Sequence, residues 1–265
     1  MKIGFIGAGN MGSAIMKGIA GSSMSSEAEL FAFDPFKDKL DALAEIGVKP
    51  KASAADVAAE CKYVFLAIKP QQFGDALPSI KDYVTEDTVI VSIAAGITSE
   101  YIRLETIPNA KVIIVMPNTP LLLGAGATAL SKNDAVSDEE FSVVKQIFDS
   151  CGITAIVAPD KMKEIIAING SSPAFIYLFA KGFVEYAESQ NISGDTALSL
   201  FAQTLIGSAK MLTDSGMTVD ELIKMVSSPG GTTLAGLDAL YEGKLTDIVK
   251  DACDRCTKRA YELSK

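Results

Sequence analysis

Ile3-Gly4-Phe5-Ile6-Gly7-Ala8-Gly9-Asn10-Met11-Gly12 is the stretch on which the fold turns. An apolar run of strand character leads straight into G-x-G-x-x-G, and a helical stretch opens behind it. Gly7 permits a tight turn, Gly9 lets a pyrophosphate approach the backbone, and Gly12 allows close helix–strand packing. The unpaired N–H groups at the helix start would meet the phosphates. Asp34 ends the next β-rich run, where an acid reaches the adenosine ribose hydroxyls. A carboxylate there repels a 2′-phosphate and favours NADH over NADPH. The nearby Lys37 and Lys39 keep NADPH open.

Outward from this unit, short runs rich in Val, Ile and Phe alternate with helical stretches. Strands are expected at 2–6, 30–34, 63–67, 88–93 and 111–115, with two more at 125–130 and 153–157. Helices are expected at 10–18, 36–46, 54–60, 71–83, 98–105 and 138–150. This alternation predicts a parallel sheet covered on both faces. After Ala158 strand signals stop, and helices are expected at 161–169, 173–190, 194–214, 219–226, 232–241 and 244–263. The fold class is thus α/β then all-α. A Rossmann-like NAD(P)-binding domain spans 1–158 and an all-helical domain spans 159–265. Apolar faces such as Ala197, Leu198, Phe201, Leu205 and Ile206 exceed what six helices can cover, so a homodimer through the helical domain is expected.

Two more segments stand at the carboxyl ends of strands, where ligands of open α/β sheets bind. Ala67-Ile68-Lys69-Pro70 turns the chain outward after one strand. Ile93-Ala94-Ala95-Gly96 places small residues after the next, so that a cofactor can approach the backbone.

Composition removes whole classes of function. The 265 residues contain no histidine, which excludes a Ser-His-Asp triad or a His-dependent hydroxy-acid dehydrogenase. A net charge of −9 argues against a nucleic-acid partner. No apolar stretch approaches the ~20 residues of a membrane span, and the run after Met1-Lys2 is too short for a signal-peptide core. Four cysteines make no disulfide framework, so a reducing, cytoplasmic setting is expected. Cys253-x-x-Cys256 is a single pair and is read as two helix thiols, with no metal.

Several segments together resemble the pyrroline-5-carboxylate reductases. They are Gly7–Gly12, Ala67–Gln71, Ser92–Gly96, Met116-Pro117-Asn118-Thr119-Pro120, Gly170-Ser171-Ser172-Pro173-Ala174-Phe175, Gly207–Leu212 and Ser227-Ser228-Pro229-Gly230-Gly231-Thr232-Thr233. They run in family order over nearly the whole chain. The resemblance implies a Rossmann-like domain, a helical dimerisation domain, and NAD(P)H-dependent reduction of L-1-pyrroline-5-carboxylate to L-proline. By position it implies that Ile6 to Met11 hold the pyrophosphate and Asp34 lies beside the ribose. Ala67, Ile68, Lys69, Pro70, Ile93, Ala94, Ala95 and Asn118 would serve the cofactor. Met116 and Pro117 would border the reacting ring, and Gly230, Gly231, Thr232 and Thr233 would bind the substrate. Dimers that assemble further are compatible with it. Many members carry Arg where this chain has Ile114, and Ser or Thr where it has Asp34.

The substrate-loop assignment has its own physical sense. Pro229-Gly230-Gly231-Thr232 leads into a helix, so consecutive backbone N–H groups can face a carboxylate. The Thr233 hydroxyl is then the candidate catalytic group, bonded to the imine nitrogen. Hydride transfer to a preformed imine demands little acid–base machinery, which suits a chain without histidine. Lys69 as a Schiff-base former is unnecessary, and Tyr177 and Lys181 read as packing and a solvated charge. The enzyme alternative is a β-hydroxyacid dehydrogenase, resembled in its two-domain plan. That class carries a Lys one turn after its interdomain glycines, whereas here none follows Gly170 before Lys181. The non-enzymatic alternative is a nucleotide sensor or scaffold that lost catalysis.

Overall fold

The computed structural model describes residues 1–264. Its strands are β1 (Lys2–Ile6), β2 (Glu29–Phe33), β3 (Lys49–Pro50), β4 (Tyr63–Leu66), β5 (Val89–Ser92), β6 (Lys111–Met116), β7 (Gly126–Lys132) and β8 (Gly152–Ile156). They form one sheet in the order β3-β2-β1-β4-β5-β6-β7-β8. β3 to β6 are parallel, as expected. β7 runs antiparallel to β6, which the alternation of elements did not predict. The link between them holds only a 3-10 turn, Thr119–Leu123, where a parallel return needs a crossover of a dozen or more residues.

Helices α1 (Asn10–Ala20), α2 (Lys37–Ala44), α3 (Ala54–Glu60), α4 (Phe73–Ile80), α5 (Ser99–Glu105) and α6 (Asp138–Asp149) cover this sheet. Ser53, Thr98 and Ser137 cap α3, α5 and α6 with side-chain oxygens, and Glu140 completes a capping box at Ser137. Side chains alternate across the strands. Phe5 and Phe65 point to one face, stacked at 4.6 Å, with Ile15, Met16 and Ile19 of α1 in the same core. Ile6 and Leu66 point to the other face, with Phe73, Leu77 and Ile80 of α4. The helices after β1 and β4 therefore leave on opposite faces of adjacent strands, which opens a crevice between them.

The chain packs as two units. One is Met1–Ser171 together with the residues from Arg255 on, and the other is Ser172–Asp254. In the first, the expected helix over 161–169 is instead a 3-10 turn, Pro159–Lys161, followed by a π-helical segment, Ile166–Ser171. That wider turn brings the Asn169 side chain to two carbonyls of the sheet, described below.

The second unit holds α7 (Ser172–Ser189), α8 (Gly194–Asp214), α9 (Val219–Met225), α10 (Thr232–Glu242) and the start of α11 (Leu245–Leu263). α7 and α8 pack through aromatic rings, with Phe183 stacked on Phe201 at 4.1 Å. Yet of residues 172–254 only Pro173 and Ala187 are buried. Leu178, Tyr186 and Leu200 are each about two-thirds exposed or more. A helical unit this bare requires a second surface to cover it. Among the described residues no helix is long and apolar enough to cross a membrane.

Candidate active site

Strand register brings the sequence motifs to one edge. Ile6 lies opposite Phe33 on one side and Leu66 on the other, Leu66 lies opposite Ser92, and Ser92 opposite Ile114. The segments after β1, β2, β4, β5 and β6 thus emerge side by side, and β1 and β4 flank the switch point.

The glycine loop is held on both flanks. Gly7 donates its N–H to Phe33 O at 2.8 Å, and Ala67 donates to Ile6 O at 2.9 Å. Gly7 has φ +104°, and a Cβ there would lie 2.4 Å from Ala67 O. Gly12 packs against Gly7 O, which a Cβ would meet at 2.6 Å. Around a Cβ built on Gly9, by contrast, there is open space for 4 Å. Gly9 is the N-cap of α1 and supplies no side-chain cap. The leading N–H groups of α1 are thereby left for a ligand, and these features together fit a dinucleotide pyrophosphate.

Two clefts meet at this loop. One, of about 460 Å³, is lined by Gly9, Asn10 and Met11, by Ala67 to Pro70, by Ile93 to Ala95, and by Met116 and Pro117. Ile166, Gly170 and Ser171 complete its wall. The other, of about 400 Å³, runs past Ile6, Gly7 and Gly9 to Phe33, Asp34, Phe36 and Lys39. Gly9, Ala67, Ile68 and Lys69 border both, so the pair can take the two halves of one dinucleotide. Ala8 borders neither cleft but lines a third beside α1, with Ser13, Lys17 and Lys39.

Asp34 is buried, and both of its oxygens are engaged. Oδ2 accepts the Ala8 N–H at 2.8 Å and Oδ1 the Phe36 N–H at 3.0 Å. The Lys39 ammonium lies 3.3 and 3.4 Å from the two oxygens.

Asn118 stands apart from both clefts. Its Oδ1 accepts the Ala127 N–H at 2.9 Å, which fastens the β6–β7 link. Three features of the site carry no signal in the sequence. Phe36 and Ile166 line clefts. Buried Asn169 donates through Nδ2 to Met116 O at 2.7 Å and to Ala127 O at 2.9 Å. A lone Asn in an apolar helical stretch gives no sequence signal of such a role.

In the second unit, Ser228-Pro229-Gly230-Gly231 forms a tight turn closed by Gly231 N–H to Ser228 O at 2.9 Å. Gly230 adopts φ +70°, the left-handed value that the third position of a type II turn demands. Gly231 begins α10 without a side-chain cap, and Thr232 and Thr233 in its first turn are exposed. Uncapped N–H groups at that end can receive an anion.

A nucleotide crevice at the switch point of a wound sheet, followed by helices with uncovered apolar faces, defines a two-domain NAD(P)-dependent oxidoreductase. Residues 159–263 match the family described as pyrroline-5-carboxylate reductase dimerisation, and residues 2–96 match that described as NADP oxidoreductase, coenzyme F420-dependent. The chain belongs to the pyrroline-5-carboxylate reductase family.

The pyrroline-5-carboxylate reductase of Escherichia coli is 34% identical over 265 residues, covering 100% of this chain and 98% of its own. That of Pisum sativum is 34% identical over 263 residues, covering 99% and 96%. Among solved structures, the Coxiella burnetii enzyme aligns with a TM-score of 0.92 at 31% identity, covering 99% of this chain and 98% of its own. The Plasmodium falciparum pyrroline carboxylate reductase, solved with NADP bound, gives 0.90 at 29%, covering 100% and 98%. The β-hydroxyacid dehydrogenase reading is not favoured.

Proposed function

We propose that the chain reduces the C=N bond of L-1-pyrroline-5-carboxylate to L-proline, with reduced nicotinamide dinucleotide held in the paired clefts and the substrate held by Gly230–Thr233. The observation that carries this reading is the meeting of the two clefts at Gly9, beneath an uncapped α1.

When bound, the reduced nicotinamide supplies the hydride. The chain's own residues position and exclude. Ile6 to Met11 take the pyrophosphate, and Asp34 faces the adenosine ribose. Ala67 to Pro70 and Ile93 to Ala95 shape the nicotinamide half, and Met116 and Pro117 wall the reacting ring. Asn118 supports that wall from behind.

Gly230 and Thr232 offer backbone N–H groups to the substrate carboxylate, Gly231, whose own N–H closes the turn onto Ser228 O, lets the carboxylate come close, and the Thr233 hydroxyl orients the imine nitrogen and supports its proton. Holding the ring against the nicotinamide supplies most of the remaining acceleration. The residues 1–158 act as the nucleotide domain and 159–265 as the dimerisation and substrate domain. The carboxylate of Asp34 tilts the preference mildly toward NADH. The uncovered helices support a homodimer, a further assembly of dimers is compatible with it, and four cysteines without a disulfide framework suit a cytoplasmic setting.

Following nicotinamide absorbance on pyrroline carboxylate, with NADH and NADPH in parallel, tests the reading. Turnover to proline is expected with both. Nucleotide binding without turnover on any cyclic imine would instead favour a sensor.

A further inference from the structure

We propose that Lys39 sets the ratio in which this enzyme uses NADPH and NADH, by cancelling the charge of Asp34 and offering an ammonium to the 2′-phosphate. The inference rests on the use of reduced nicotinamide dinucleotide proposed above. Asp34 alone would be an excluding group, because its carboxylate is buried at the ribose end of the cleft. It is not alone. Its backbone partners, Ala8 and Phe36, fix it in place. Lys39 then makes the pair formally neutral.

The Lys39 contacts, at 3.3 and 3.4 Å, are longer than the ~2.7–2.9 Å of a tight ammonium–carboxylate bond. The ammonium is thus tethered loosely, on a side chain that remains 39% exposed. It also sits 4.6 Å from the centre of the exposed Phe36 ring, beside the adenosine cleft. Lys39 borders two clefts at once, the ribose one and the neighbouring one that contains Lys17. A 2′-phosphate at this ridge would draw Lys39 off the carboxylate, whereas a 2′-hydroxyl would leave the pair intact and bond to Asp34. Asp75 and Lys69 border the same cleft with opposite charges, so Lys39 decides the balance at the ribose end.

The test compares wild type with Lys39→Met and Lys39→Arg. The NADPH to NADH ratio of kcat/KM is expected to fall at least ~10-fold in Lys39→Met, and Lys39→Arg to restore most of it. Calorimetry without the imine gives an independent reading. Adenosine 2′,5′-bisphosphate should lose affinity in Lys39→Met much more than adenosine 5′-monophosphate does, and the difference should shrink at high salt. An unchanged ratio, or an equal loss for both nucleotides, overturns the role and leaves Lys39 as a support for Asp34. Wild type binding neither nucleotide would overturn both this inference and the proposed function. Binding of both with the ratio unmoved overturns this inference alone.

Discussion

Asp34 Oδ2 accepts the backbone N–H of Ala8 at 2.8 Å, which joins the end of β2 to the middle of the glycine loop. The acid expected to meet a ribose thus also shapes the turn proposed to meet the pyrophosphate. Asp34→Ala removes an anionic acceptor from two N–H groups and strands the Lys39 ammonium. A loss of about 2 kcal/mol in cofactor binding is expected, roughly 30-fold in Kd, for NADH measured by fluorescence titration. An unchanged Kd would show that the loop keeps its form without this tie.

The glycines of the loop differ in what they do, and two substitutions separate them. Gly12→Ala pushes a methyl to 2.6 Å from Gly7 O, a backbone atom that cannot step aside. It should cost about 1–3 kcal/mol of stability, visible as a lower Tm. Gly9→Ala meets nothing in the protein within 4 Å. Its Tm should stay within about a degree or two of wild type while cofactor affinity falls by at least ~10-fold, since the methyl would stand where the pyrophosphate is proposed to approach. Equal affinity in Gly9→Ala would remove the phosphate from this loop.

Much of this edge was legible in the sequence, because each strand there is an apolar run closed by Gly, Pro, Asp or Ala. Gly7–Gly12, Asp34, Ala67–Pro70 and Ile93–Ala95 were found by that punctuation, and parallel register then aligns them. The reversed direction of β7 was not legible, because it depends on a link too short for a crossover rather than on any strand signal. Nor was the π-helical turn over Ile166–Ser171, where periodicity alone reads an ordinary helix. Asn118 could be located by motif, but its hydrogen bond to Ala127 depends on tertiary placement. The two-residue β3 (Lys49–Pro50) is not legible because it has no room for a pattern.

Asn169 offers a sharper test of positioning. Its amide satisfies Met116 O and Ala127 O inside the protein. Asn169→Ala leaves both carbonyls without that donor and should cost about 1–3 kcal/mol by denaturant unfolding. Asn169→Asp should be worse near neutral pH, since an anionic oxygen replaces the donor beside those carbonyls, and should recover as the carboxyl protonates at lower pH. If both variants unfold at the wild-type denaturant concentration, the clamp on Met116 is not structural.

Acid stability should reveal Glu60. Hydrogen bonds from Lys51, then from Lys2, lower its carboxyl from 4.5 to about 2. The Lys2 contact is 2.9 Å and ties the end of α3 to the start of β1. A folded-state value below the unfolded one contributes stability that is present above about pH 4.5 and is lost as pH falls toward 2. Glu60→Gln should therefore melt below wild type near neutral pH, and the two curves should converge in that acid window. Parallel curves across the window would show that the ion pairs contribute nothing to folding.

The most direct measurement compares wild type and Thr233→Ala on L-1-pyrroline-5-carboxylate, with cofactor binding checked in both. Wild type should turn over the imine to proline. Thr233→Ala should bind the nucleotide normally and lose on the order of 10²-fold in kcat, as expected when one positioned donor is removed. Full turnover in Thr233→Ala, or none in wild type, would contradict the account.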